Sequence, residues 1–507
     1  MATGFDQLLV AGRNAAGVHV TDEAELDGPD EGEKAAAKEA AEEAGKDGWL
    51  LTITNTTGQP VLADLTNRDV RQRVHLASVE RGPVAGEHDT RGVLLTMAKL
   101  RDERASAGLP PPRGLRRRGR LCRQHRRGQR DPRAPRPRGL RHRPGSRRAA
   151  PGTPAELEPG ATLEARDWAY VDARLRQQEA ELDRGALRPY LEFDRVLEHG
   201  VFAAATALYG ITFLRREDLV GYTADARVYE VREANGDHTG VAVIDPYTRS
   251  TKQGGARMTS IVDQSQLLDD SPVVTNTCNF PPPAPGSPSL LSWDNVITLF
   301  HEFGHDLHGL LSDVRFPSRS GTSVPRDFVE FPSRVNEIWA REPGLLAAYA
   351  RHHETGEPLP AEMLARVMET AGKETYRYAE LLAAAILDRA WYQTPAADLP
   401  ADPEGVEAFE LAAPDKAGVG YAPVPPRYRS TYFHHIFGGG YSAAYYAYLW
   451  SEIMDADTVA WFEGRGGMTR EAGEHFRRTL LGPGGSVDAM DSYRTFPRER
   501  PPTSPTC

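Results

Sequence analysis

The sequence contains little cysteine and no long apolar run. Its three cysteines, Cys122, Cys278 and Cys507, are widely spaced among 507 residues. This number and spacing exclude a disulfide framework and a CxxC metal clamp, and they favour a reducing compartment. No uninterrupted stretch of about 18 apolar residues occurs, and residues 1–14 lack a basic start followed by an apolar segment. We therefore expect a soluble, cytoplasmic protein without a membrane partner.

The overall composition is that of an ordinary globular protein. Hydrophobic residues make up 40% of the chain and charged residues 26%, which argues against disorder of the whole chain. The formal net charge of -10 argues weakly against a nucleic-acid partner. A chain of 507 residues can form about three domains or one large domain with a deep cleft.

Residues 111–150 depart sharply from this composition. Between Arg113 and Arg148 there are sixteen arginines, one acidic residue and no lysine. The segment could be a disordered arm that binds nucleic acid, a solvated linker, or the product of a reading-frame error in a GC-rich gene. The lack of lysine and aromatic residues disfavours the arm, and the composition fits the frame error best. We assign no function to these arginines.

Apolar periodicity predicts a mainly α-helical protein with a small sheet. The predicted helices span residues 22–47, 66–100, 167–187 and 193–208, and a helical pattern extends from Ser292 to about Leu480. Short strands are predicted at residues 49–54, 227–233 and 241–244. The pair Asn235-Gly236 suits a tight hairpin turn between the last two strands.

The strongest chemical signal is the motif His301-Glu302-Phe303-Gly304-His305. Two imidazoles four residues apart on a helix point the same way and can bind one Zn²⁺. The glutamate next to the first histidine then faces the metal-bound water as a general base. The alternative is a pair of ordinary histidines on an amphipathic helix with Asp294 as its N-cap. A motif of this kind arises by chance in a chain of this length in roughly a few per cent of cases.

A catalytic zinc needs a third protein ligand, and a second helix can supply it. Residues 323–339 have helical spacing, with Ser323 as the predicted cap. Glu330 and Glu337 lie seven positions apart, on one face of this helix. Spacing alone does not decide which of them is the ligand and which orients a histidine. The alternative for either one is an exposed helix glutamate.

A tyrosine-rich segment near the C-terminus supplies candidate hydrogen-bond donors. After a glycine turn at residues 438–440, Tyr441, Tyr445 and Tyr448 fall at helical i, i+4 and i+7. A phenol is protonated at neutral pH, so it can donate to the oxyanion that forms during peptide hydrolysis. The alternatives are an aromatic core stripe and, for the neighbouring His435, a core histidine.

Three separated motifs, taken in this order, resemble the thimet oligopeptidase family of zinc metallopeptidases. They are the runs at residues 301–309, 320–333 and 435–441. The second run is most similar to the bacterial peptidyl-dipeptidase branch. The resemblance covers residues 168–482 and, weakly, residues 4–109. It implies a large helical peptidase with a deep substrate channel and a small β-sheet near the active site.

The resemblance also implies a role for each matching residue. It makes His301, His305 and Glu330 the zinc ligands and Glu302 the base. The carboxylate that orients a ligand is then Glu337. The positions for substrate binding and oxyanion stabilisation are His435, Tyr441 and Tyr448, with Tyr445 as a less certain neighbour. The run Gly254-Gly255-Ala256 matches the place where the small sheet binds an extended peptide.

Four segments follow from these patterns. We expect a partial N-terminal helical region over residues 1–110, with part of the family's N-terminal sequence absent, and an aberrant segment at 111–150. The zinc peptidase region is predicted at residues 151–495, followed by an aberrant tail at 496–507. The resemblance implies a monomeric peptidase with one Zn²⁺ that cleaves short peptides and releases C-terminal dipeptides. The alternative is a truncated or frame-damaged relative that binds zinc or peptide without turnover.

Overall fold

The computed structural model describes residues 2–53, 59–81, 89–106, 161–180, 185–284, 286–369 and 375–497. The arginine-rich segment at 111–150 and residues 498–507 of the predicted tail lie outside these described residues. Among the described helices, none has both the length and the apolar character that a membrane crossing requires.

Helices dominate the described chain, as predicted. The α-helices are α1 Ala2–Ala15, α2 Glu31–Glu43, α3 Arg68–Val79, α4 Arg91–Ser106, α5 Trp168–Ala180, α6 Phe193–Val196, α7 Ala203–Tyr209, α8 Trp293–Leu310, α9 Arg326–Glu337, α10 Pro343–Tyr349, α11 Ala361–Glu369, α12 Thr375–Gln393, α13 Val406–Lys416, α14 His434–Phe437, α15 Ala447–Glu463, α16 Arg470–Phe476 and α17 Ala489–Thr495. The π-helical stretches Leu197–Phe202 and Arg477–Leu481 continue α6 and α16.

The predicted helix over residues 22–47 is interrupted. A 3₁₀ turn at Glu23–Leu26 precedes α2, and the chain between them turns at Gly28, which has φ +112°. A Cβ on Gly28 would lie 1.9 Å from the carbonyl oxygen of Asp64, so only glycine fits this turn. The side chain of Asp30 then caps α2 in a reciprocal capping box with Glu33.

A five-stranded mixed sheet lies beside the long helix α8. Its strands are β3 Thr212–Arg215, β4 Arg227–Arg232, β5 His238–Tyr247, β6 Arg257–Val262 and β7 Val273–Phe280, and they lie in the order β3-β4-β5-β7-β6. A separate pair consists of β1 Val18–Val20 and β2 Trp49–Leu51. The predicted hairpin at Asn235-Gly236 is confirmed, because β4 and β5 pair antiparallel around it. Strand β6 lies at the edge of the sheet, so one side of its backbone faces away from the other strands.

The main hydrophobic core lies between α8 and the inner strands of the sheet. Phe300, Phe303 and Leu307 of α8 are at most 2% exposed and belong to the same core as Ile244 and Val274. A buried hydrogen bond of 2.9 Å from Asn276 Nδ2 to Asp306 Oδ2 fixes α8 against β7. This packing places the His301–His305 turn of α8 near the edge strand β6.

A second hydrophobic core joins the two ends of the chain. Phe5 of α1 packs with Leu94, Trp391 and Phe437, all of them buried. The predicted N-terminal region therefore packs directly on the region predicted at residues 151–495. Phe496, predicted to begin the aberrant tail, is 1% exposed and packs on Trp461 with a ring-centroid distance of 4.3 Å.

Candidate metal centre and active site

The close approach of α8 and α9 brings the predicted metal ligands together. A Cβ on Gly304 would lie 2.6 Å from the Cα of Ser333, so this glycine allows the two helix backbones to pack in near contact. Asn336 Nδ2 donates a buried hydrogen bond of 2.7 Å to the carbonyl oxygen of Phe300. The helix α9 begins at Arg326, with Pro325 as its N-cap, so the predicted cap at Ser323 is wrong. Similarly, Ser292 rather than Asp294 caps α8.

Three side chains converge at this crossing. His301 Nε2 lies 3.3 Å from Glu330 Oε2, and His305 Nε2 lies 3.4 Å from the same oxygen. Zinc–ligand bonds of about 2.1 Å at tetrahedral angles separate neighbouring ligand atoms by about 3.4 Å. Glu330 is 2% exposed, and its Oε2 has no hydrogen-bond partner in the described part of the chain. The donor set and its spacing fit a Zn²⁺ ion.

Glu337, on the next turns of α9, contacts the other nitrogen of His301. The distance from His301 Nδ1 to Glu337 Oε1 is 2.7 Å. Arg334 donates to both oxygens of Glu337 at 2.8 Å and to Glu452 at 2.6 Å. Burial would raise the pKa of Glu337, but Arg334 and His301 outweigh it and lower the pKa. The carboxylate therefore accepts from Nδ1 and leaves Nε2 of His301 directed at Glu330.

Glu302 lies beside these ligands with one free oxygen. The residue is 6% exposed and borders a cavity of about 350 Å³. Its Oε2 has no hydrogen-bond partner among the described residues. Burial raises its pKa, and the neighbouring histidines oppose that shift. This buried oxygen without a partner can accept a proton beside the cavity.

The predicted helical arrangement of Tyr441, Tyr445 and Tyr448 is wrong. Residues 442–446 form turns, and α15 begins only at Ala447. Ala443 adopts φ +56°, which L-residues other than glycine rarely do. The buried carboxylate of Asp388 stabilises this path, because it accepts hydrogen bonds of 2.8 Å from Ala443 N and 2.9 Å from Tyr445 N.

The turns nevertheless place two of the three phenols at the metal centre. The hydroxyl of Tyr441 donates to Glu330 Oε1, and its ring stacks on Tyr448 with a centroid distance of 5.5 Å. Burial and the charge of Glu330 raise the pKa of both phenols, so both stay protonated. Tyr445 is 3% exposed and packs against Tyr428 and other rings behind the cavity wall, so it does not line the cavity.

His435 and the predicted peptide-binding run border the same cavity. Burial lowers the pKa of His435 to about 3, so the ring is neutral and can donate through one nitrogen. Gly254, Gly255 and Ala256 lead directly into the edge strand β6 and line the cavity. The structure therefore brings every predicted site residue to one place, except that Tyr445 lies one layer behind.

Several cavity residues were not predicted from the sequence. They are Arg13, Arg81, Arg257, Arg326 and His434, together with apolar residues of α1 such as Leu8 and Leu9. Periodicity gives no sign that α1 reaches the site, because this helix lies nearly 300 residues from the histidine motif in sequence. The role of Asp388 in supporting the tyrosine turns was not predicted either, since no motif contains this residue.

Comparisons with known proteins agree with this geometry. A model of Peptidase family M3 matches residues 149–507. The chain is 38% identical to the dipeptidyl carboxypeptidase of Escherichia coli over 100% of this chain and 74% of that protein. It is 34% identical to oligopeptidase A of the same organism over 95% of this chain and 72% of that protein. A thimet-like oligopeptidase of Dictyostelium discoideum is 27% identical over 66% of this chain and 50% of that protein. The chain therefore belongs to peptidase family M3 and is a helical metallopeptidase, which confirms the predicted fold class and family.

Proposed function

We propose that this metallopeptidase uses one Zn²⁺ to release dipeptides from the C-termini of short peptides. The observation that carries the proposal is the convergence of His301 Nε2, His305 Nε2 and Glu330 Oε2, with ligand atoms within 4.8 Å of one another. The name of the similar E. coli protein, dipeptidyl carboxypeptidase, supports dipeptide release. The cytoplasmic location and the monomeric state remain predictions.

The three ligands would hold the ion at the floor of the cavity. A bound Zn²⁺ acidifies water and polarises a carbonyl group. Glu337 would keep His301 in the tautomer that binds metal through Nε2, since its carboxylate accepts from Nδ1. Glu330 is only 2% exposed, and this shielding from water strengthens its electrostatic interactions.

Glu302 would transfer the proton. Its carboxylate, whose Oε2 has no hydrogen-bond partner among the described residues, would accept a proton from the attacking water and then deliver that proton to the amine of the leaving dipeptide. One carboxylate can perform both transfers because the two steps follow each other at the same place. Glu302 is nine-tenths buried, so the proton is not lost to bulk water.

The tyrosine segment would stabilise the charge that develops on the peptide oxygen. Tyr441 and Tyr448 are protonated phenols next to Glu330, and neutral His435 lies within 6.0 Å of both rings. Donors fixed before the reaction stabilise an oxyanion without reorganisation. The backbone of residues 254–256 and the edge strand β6 would align the peptide in extended form.

The direct test uses a decapeptide with free termini and purified protein, followed by mass spectrometry. We expect successive loss of C-terminal dipeptides, abolition by a chelator and recovery with added Zn²⁺. Cleavage at internal bonds would show an endopeptidase instead. A protein that contains one zinc per chain but leaves the peptide intact would support the alternative of a relative that binds without turnover.

A further inference from the structure

Asn279 lies near the end of strand β7, behind the predicted peptide-binding run at residues 254–256. Its side chain is 7% exposed and does not line the cavity, whereas the run itself does. Regular pairing between β6 and β7 begins at Arg257 and Thr277. In antiparallel strands this register makes residue 255 the next position opposite Asn279. Asn279 therefore lies where the regular ladder of the sheet stops and the run begins.

The side-chain amide of Asn279 continues the hydrogen bonding beyond this point. Its Nδ2 donates hydrogen bonds of 2.9 Å to the carbonyl oxygen of Gln253 and of 2.6 Å to that of Gly255. Its Oδ1 is buried without a hydrogen-bond partner among the described residues. A buried acceptor without a partner costs free energy of folding. Stability alone therefore does not account for an asparagine at this position.

The two hydrogen bonds determine which way the peptide groups of the run face. A trans peptide bond directs its N–H opposite to its C=O, and the described chain contains no cis peptide bond. The carbonyl groups of Gln253 and Gly255 are turned toward Asn279. The N–H groups of Gly254 and Ala256 therefore point away from Asn279, toward the cavity that these residues line. The run offers two backbone donors to a ligand in the cavity.

The chain that enters the run is fixed independently of Asn279. Lys252 is 3% exposed, and its Nζ donates to the carbonyl oxygens of Asp245 at 3.0 Å and of Tyr247 at 2.9 Å, both on β5. Lys252 thus attaches the start of this segment to β5, while Asn279 attaches the run to β7. Loss of the Asn279 amide should change the direction of the peptide groups without releasing the segment from the sheet.

We propose that Asn279 is a positioning residue for peptide substrates. Because it holds the carbonyl groups behind the run, it aims the N–H groups of Gly254 and Ala256 at carbonyl oxygens of an extended peptide. Main-chain hydrogen bonds of this kind contribute affinity whatever side chains the peptide carries. This inference rests on the proposed peptidase function.

The test weakens one carbonyl acceptor of the ligand at a time. It uses a set of hexapeptides, each with a single thioamide, whose sulfur accepts hydrogen bonds more weakly than oxygen does. Calorimetric titration of zinc-loaded Glu302→Gln protein measures the Kd of each peptide without turnover. We expect a thioamide at one or two positions to raise Kd by roughly threefold to tenfold, as the loss of one hydrogen bond allows. In Glu302→Gln/Asn279→Ala the rise at those positions should be less than about twofold.

Thr275→Val is the matched control. Thr275 also lies on β7, and its Oγ1 donates to the carbonyl oxygen of Thr259 on β6 at 3.3 Å, away from the run. Removal of this hydrogen bond should leave the effect of each thioamide unchanged. Asn279→Gln carries the same amide on a longer side chain and should give an effect between those of asparagine and alanine. It provides the same comparison if Asn279→Ala does not fold.

The outcomes separate this inference from the proposed function. A position-specific thioamide effect that disappears with Asn279→Ala supports the inference even if the protein cleaves nothing. Three results would overturn the inference and leave the peptidase proposal standing in a protein that releases dipeptides. They are the absence of any thioamide effect, an effect that survives in Asn279→Ala, and an effect that Thr275→Val removes to the same extent.

Discussion

The two halves of the site are built on different kinds of backbone. The metal half lies on the regular helices α8 and α9, whose hydrogen bonds set the direction of each side chain. The tyrosine half lies on turns at residues 438–446, where Ala443 has a left-handed conformation and Asp388 supplies the hydrogen-bond acceptors. Sequence spacing therefore gives geometry directly in the first half. In the second half the geometry depends on Asp388, which lies 55 positions before Ala443.

The metal half contains the residue with the largest expected effect. Glu302→Gln removes the base but none of the ligands, so we expect kcat to fall by about 10²- to 10⁴-fold with zinc content unchanged. Steady-state kinetics and elemental analysis of the same preparation measure both quantities. Near-normal cleavage by the glutamine variant would contradict the assigned mechanism.

The second largest effect on activity is expected in the tyrosine half. Tyr441→Phe removes the hydroxyl that touches Glu330, and we expect kcat to fall by roughly 10²- to 10³-fold with a small change in KM. Tyr445→Phe, behind the cavity wall, should cost at least about tenfold less than that. Equal losses in both variants would show that the turns, rather than one phenol, carry the effect.

Sequence patterns correctly predicted those site residues that lie on regular helices. The four-residue spacing of His301 and His305 and the seven-residue spacing of Glu330 and Glu337 are realised on helices. Spacing could not predict which of these two glutamates contacts which nitrogen of His301, because the crossing of α8 and α9 depends on Gly304. The same limit applies to the fold. The hairpin at Asn235-Gly236 was predicted from its turn, whereas edge strand β6 has no comparable signal.

The helix crossing can be disturbed without touching a ligand. Gly304→Ala puts a Cβ against the backbone of Ser333, so we expect a loss of about 1–3 kcal/mol in the free energy of unfolding, together with weaker zinc binding. Gly92→Ala is the matched control, because its Cβ would meet no atom closer than 4.0 Å. Chemical denaturation and zinc titration compare the two. Unchanged zinc affinity in Gly304→Ala would mean that the crossing tolerates separation.

The last expected effect, on stability alone, is a pH dependence that arises from the tyrosine half. Burial raises the pKa of Asp388 to about 7, against the backbone donors and Arg389, which lower it. The folded protein then holds a proton that the unfolded chain releases near pH 4. Stability should therefore fall as pH rises from about 4 to 7, by up to about 1.4 kcal/mol per pH unit from this group, and level off above that range.

Asp388→Asn lacks this titration, so it provides the control. The free energy of unfolding of the wild type should fall relative to that of Asp388→Asn as the pH rises through this window. Contributions that the two proteins share largely cancel in the difference. Burial lowers the pKa of Arg101 to about 10, so this neighbour stays charged throughout the window. A difference that does not change between pH 4 and 7 would show that Asp388 is ionised throughout.

The position of bound zinc tests the central claim most directly. Anomalous diffraction at the zinc edge, from crystals of the protein with Zn²⁺ added, locates the ion independently of activity. We predict one strong peak within about 2.0–2.2 Å of Nε2 of His301, Nε2 of His305 and a carboxylate oxygen of Glu330. A peak bound by other residues, or no peak at this crossing of α8 and α9 in zinc-saturated crystals, would contradict the account.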